Sequence, residues 1–137
     1  ANLWEVRPHQ FFGAFMARDS QIEKKKDTYV RFAVSMMQAT RRIYKDKAGF
    51  LQTAKKWLRP VYKKNFEVVE KTYDFFVKER IWAVNSGMPK KTIEWTGQFL
   101  KKLGKIKKAV PPPASFVATG VAKAALAKVG EISPYER

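Results

Sequence analysis

The chain has 137 residues, a length that suits one domain with a single core, and 45% of them are apolar and 14% aromatic. That is too much apolar material for a disordered basic tail, even at a formal net charge of +16. The absence of cysteine excludes disulfides, a thiol nucleophile and thiolate metal sites, and leaves the redox compartment unread.

At the start, "ANLWEVRPHQFF" lacks the basic leader and small-residue cleavage site of a signal peptide, so a chain opening at Ala1 reads as a processed or truncated product, or as one that has lost only its Met. Residues 10–17, "QFFGAFMA", form a short apolar run that suits a buried strand, with a helix start as the alternative. "RDSQIEKKKD" follows as a polar turn with room for one helical turn, and Asp27 stands where an N-cap belongs. From Thr28 to Asp46, Tyr29, Phe32, Ala33, Met36, Met37, Ile43 and Tyr44 recur at three- and four-residue spacing, which predicts an amphipathic helix.

A second helix is expected over Ala48 to Leu58, with Phe50, Leu51, Ala54, Trp57 and Leu58 on one face and Pro60 stopping it. A third runs from Tyr62 to Lys78 with Phe66, Val69, Tyr73, Phe76 and Val77 inward. "WAVNSG" then turns through Asn85 and Gly87, so the stretch reads as an elbow. Pro89 opens a fourth helix through Leu103, carrying Ile93, Thr96, Phe99, Leu100 and Leu103, with Gly104 as a left-handed terminator. "VPPPASF" reads as an extended segment that cannot be helical, and a last short helix spans Ala118 to Val129 before Gly130. The longest uncharged apolar run carries three prolines and is too short to span a bilayer.

No catalytic or metal constellation stands out. His9 is the single histidine and has Arg7 and Gln10 beside it, so it reads as a satisfied or exposed side chain. Glu67 with Glu70, and Glu70 with Asp74, sit at helical spacing among Lys63, Lys64, Lys71 and Lys78, which makes them surface ion-pair partners before they are acids or bases. "GKIKK" at 104 lacks the upstream glycine of a phosphate loop. No cofactor is implied.

The net positive charge is spread: basic residues exceed acidic ones by 5, 5 and 6 in residues 1–50, 51–100 and 101–137. It favours acidic partners without choosing among nucleic acid, anionic lipid and small anions. The clusters "AKKWLRPVYKKN", "MPKKT" and "FLKKLGKIKKA" interleave lysines with aromatics, as nucleic-acid-binding modules do. Because Trp57, Phe66 and Phe99 share stripes with aliphatic residues, core packing is the preferred use of these rings. A basic helical nucleic-acid-binding module is therefore the runner-up reading, and an amphipathic membrane-surface role ranks below it.

Taken in order, "FFGAFMARDSQIEKKKDTYVRFAVSMMQATRRIYKD", "VVEKTYDFFVKERIWAVNSGMPKKTIEWTGQFLKKLGKI" and "VPPPASFVATGVAKAAL" resemble the C-terminal part of periplasmic substrate-binding proteins of ABC importers. The group is the nitrate/sulfonate/taurine one that includes the thiamine-pyrimidine binding proteins. The likeness covers most of the chain and lies in the order and spacing of the segments.

The resemblance implies a mainly α chain with one or two short strands, the C-terminal portion of a two-lobed α/β binding-protein fold of type II. Residues 1–20 would close the second lobe and cross between lobes, Phe11 to Ala17 being the crossing strand, and residues 21–137 would pack as helices on the first lobe. A small organic ligand, an anion being one option, would sit between the lobes against Trp4, His9, Phe11 and Phe12. The partners implied are that ligand and the importer's membrane subunits, in a periplasmic or extracytoplasmic setting, and uncovered helix faces suggest a homo-oligomer or swapped dimer. The role is non-enzymatic: relatives that synthesise a pyrimidine are enzymes, but the His and Cys chemistry they would need is missing.

Overall fold

A computed structural model describes residues 13–85 and 90–132. Among them the chain is mainly α, with helices α1 (Asp19–Lys24), α2 (Lys26–Lys45), α3 (Lys47–Trp57), α4 (Pro60–Lys64), α5 (Phe66–Lys78), α6 (Lys90–Lys102) and α7 (Thr119–Val129), and one 3-10 turn at Pro113–Ser115.

The principal packing is α2 against α7, two helices far apart in the chain. Val30 and Met37 of α2 bury themselves against Ala125 of α7, and Ala33, Val34, Val121, Ala124, Leu126 and Val129 complete the layer. The alanines of α7 leave room for a close approach, so the buried stripe of α2 runs through Val30, Val34 and Met37. This shifts the stripe expected from sequence, because Phe32 and Met36 stay exposed. The helix also begins earlier than expected. Lys25 takes the N-cap position, and Asp27 lies in the first turn, where its carboxylate meets the positive end of the helix dipole.

A second, aromatic layer joins α2, α3 and α5. Tyr73 is buried, its ring 4.8 Å from Phe50, and Trp82 stands edge-on to Phe76 at 5.4 Å and to Tyr44 at 5.9 Å. The Tyr73 hydroxyl donates to the carbonyl of Ile43, one of the end-of-helix acceptors that α2 cannot satisfy itself. Burial pushes the Tyr73 phenol above its ordinary pKa.

Four further expectations change. The strand expected over residues 10–17 is absent over 13–17, which is irregular and open, with Phe15 75% and Met16 94% exposed. No described segment pairs with it, and an unpaired strand has no ladder to hold it; residues 10–12 lie outside the described residues. The single helix expected from Tyr62 to Lys78 breaks at Asn65, whose φ of −120° and ψ of 50° are not helical, into α4 and α5. The proline segment is extended only through Pro112 and then makes the 3-10 turn, with Ser115 Oγ donating to the Pro112 carbonyl at 2.7 Å. Trp57, expected in the core, is 74% exposed.

The helix ends follow local chemistry. α6 closes in the expected left-handed turn, Gly104 at φ +70°, with Lys105 N–H donating to Leu100 and Gly104 N–H to Lys101. α5 ends in the same motif with Arg80 in the glycine position at φ +50°, Ile81 donating to Phe76 and Arg80 to Val77. No helix among the described residues is long and apolar enough to cross a membrane.

Candidate functional site

Trp4, His9, Phe11 and Phe12, the residues expected to line a ligand cleft, lie outside the described residues. Concavities open at two places among the described residues. One of about 380 Å³ is lined by Asp27, Val30, Arg31 and Lys128 at the rim of the α2–α7 layer, and one of about 10 Å³ lies beside Arg41 and Val84. No three metal-capable side chains converge among the described residues. Asp74 pairs with Lys47 of α3 at 2.6 Å, an exposed ion pair, so its partner comes from another helix and not from the lysines around it in sequence. That hydrogen bond raises the Lys47 pKa.

The elbow carries the densest polar constellation. Arg41 continues the stripe of Val30, Val34 and Met37 by one more turn, so a guanidinium stands where an apolar side chain is expected. Its Nε donates to the Val84 carbonyl at 2.9 Å, Nη1 to the Val129 carbonyl at 2.9 Å, and Nη2 to Asn85 Oδ1 at 3.1 Å and the Gly130 carbonyl at 2.7 Å. Two of these acceptors lie at the C-terminal end of α7, where a cation also meets the negative end of the dipole. Asn85 is buried and answers on both atoms: Oδ1 accepts from Ile132 N–H at 3.0 Å, and Nδ2 donates to the Ile132 carbonyl at 3.0 Å.

One turn further along α2, the Tyr44 hydroxyl donates to the Trp82 carbonyl at 2.8 Å and accepts from Trp82 N–H at 3.0 Å. Four of the five guanidinium donors of Arg41 are thus committed to protein acceptors. The constellation locks α2, the elbow and the end of α7 together; it offers a ligand little. Sequence reasoning read Asn85 as a turn former and did not single out Arg41, although an arginine on a continuing apolar stripe was the signal available.

The second constellation lies at the corner between α3 and α4. Lys55, Lys56, Arg59, Lys63 and Lys64 gather there, and no acidic residue occurs between Asp46 and Glu67. Lys63 Nζ reaches back to the Lys56 carbonyl at 3.4 Å across the corner. Lys56 Nζ lies 5.2 Å from the centre of the Trp57 ring and Lys55 Nζ 4.8 Å from that of Phe66. Phe66 is half-buried, as is Phe99, which stacks on Trp95 at 5.0 Å. These two rings keep the packing role read from their stripes, whereas Trp57 does not. No protein-family model, no curated protein and no solved structure matches this chain.

Proposed function

We propose that this chain is the C-terminal helical portion of the solute-binding component of an ABC importer, an extracytoplasmic protein that holds a small organic ligand between two lobes. It is a binding role without catalysis. The α/β lobe on which the helices would lean is then supplied by chain outside this sequence, and ligand selection rests on contacts made only when the lobes close.

The observation that carries the reading is an unfinished apolar surface. The buried apolar residues among those described are Val30, Met37, Tyr73, Val84, Ile93 and Ala125, a thin core for helices so rich in aromatics. Phe15, Met16, Phe32 and Met36 remain open on the N-terminal side, with Phe15 edge-on to Phe32 at 4.8 Å. Large exposed apolar groups close together mark surface meant for another body. The helical part of the element order is compatible with the reading: a long helix, a helix ending in the elbow, a helix ending at Gly104 and a final helix after the prolines, without the crossing strand over residues 13–17.

The test is the coding sequence upstream of Ala1. The reading expects an α/β lobe encoded there in frame; a reading frame that opens at Ala1 overturns it.

A further inference from the structure

We propose that the corner between α3 and α4 is a docking surface for an anionic lipid bilayer. This goes beyond ligand binding and stands on the corner alone. Trp57 is 74% exposed, Val61 61% and Tyr62 54%, and all three fall within residues 47–66, a cationic stretch with no acidic residue of its own. Isolated apolar side chains on a surface are ordinary, and so is a solvated lysine run. Their coincidence at one turn is the signature of an interfacial contact: lysines and arginines meet lipid phosphates while tryptophan and tyrosine settle at headgroup depth.

Two features favour a bilayer over a nucleic-acid strand. The exposed apolar set includes Val61, which can enter an acyl boundary but gives no face on which a base stacks. The corner is also a convex helix end turned by Pro60, and its residues line neither of the two concavities described above, so it does not cradle a phosphate backbone there. The helices here are too short and too charged to span, so the contact is peripheral.

Co-sedimentation of the full chain with vesicles tests the proposal. The chain should pellet with phosphatidylcholine vesicles containing phosphatidylglycerol, stay in solution with phosphatidylcholine alone, and release as salt rises. Trp57→Ala with Tyr62→Ala should weaken lipid binding roughly tenfold or more. Lys63→Glu with Lys64→Glu should weaken it comparably, and Lys71→Glu with Lys78→Glu, the same charge change on α5 among Glu70, Asp74 and Glu79, much less. Circular dichroism confirms that each variant keeps its helices. Equal loss from the two charge reversals, equal binding to neutral vesicles, no vesicle binding, or retention of a single-stranded oligonucleotide without vesicles would each overturn it.

Discussion

Arg41 and Asn85, 44 residues apart in sequence, meet at 3.1 Å and between them hold three segments of the chain. The same guanidinium takes the last carbonyls of α7, and the same amide takes both backbone groups of Ile132. The elbow after α5 is therefore a junction where distant backbone is tied by two side chains. The network is part-buried around the buried Asn85 amide, and its inner members must keep their partners for the junction to hold.

Arg41→Met should cost about 2 kcal/mol in urea unfolding, because it takes the donor from the Val84, Val129 and Gly130 carbonyls at once, while Asn85 Oδ1 keeps its bond from Ile132 N–H. Arg41→Lys should recover little of that, since an ammonium cannot present a planar fork to four acceptors. Asn85→Asp should also destabilise, because the carboxylate keeps the two acceptor roles but faces the Ile132 carbonyl where an N–H stood.

Tyr73→Phe isolates a single hydrogen bond and should cost about 1 kcal/mol, with the ring packing on Phe50 preserved. The folded phenol titrates above its ordinary 10.0 because burial disfavours the phenolate. Its contribution is therefore complete below that value and is lost as pH rises through the folded pKa. Alkaline unfolding of the parent should show a Tyr73-dependent drop that Tyr73→Phe lacks.

Asp46 supplies the matching acid-side prediction. It caps α3 by accepting from Gly49 N–H at 2.7 Å and pairs with Arg42 at 3.1 Å, and these bonds, the Gly49 one first, lower its pKa below 3.8. The carboxylate contributes above the unfolded value, and the contribution fades as pH falls through the lower folded one. Asp46→Asn should keep the cap bond and lose that pH dependence, whereas Asp46→Ala should fray α3 at neutral pH, both read by circular dichroism.

Two glycines separate backbone strain from crowding. Gly104→Ala should cost about 1 kcal/mol purely through its left-handed conformation, since an added Cβ meets nothing within 4 Å. Gly97→Ala puts a methyl 2.5 Å from Val110 Cγ1. Helix propensity alone would gain about 1 kcal/mol, but overpacking costs about 1–3 kcal/mol, so the net effect is a loss. Adding Val110→Ala should reverse the sign, making the double variant at least as stable as Val110→Ala alone in thermal melts.

The helices were legible because their apolar residues repeat at helical spacing and their ends carry local signals, Gly104 and Gly130 above all. What was hidden depends on partners. Spacing placed α2's apolar residues on one side, but only the small side chains of α7 decide that Val30 is buried and Phe32 is not. Trp57 satisfied the stripe pattern of α3, yet at the last position of a helix there is no neighbour beneath it. The break at Asn65 has no proline or glycine to announce it. The candidate ligand residues came from resemblance and lie outside the described residues, so sequence and structure meet on the scaffold and not on a pocket.

The most direct measurement is the melting temperature of the chain joined to the α/β lobe that the proposed function requires, taken across a panel of small organic anions and neutral solutes. The account predicts that at least one solute raises it in a saturating way and that the present chain by itself does not respond. A joined protein indifferent to every solute, or a solute that stabilises the isolated chain just as well, would contradict it.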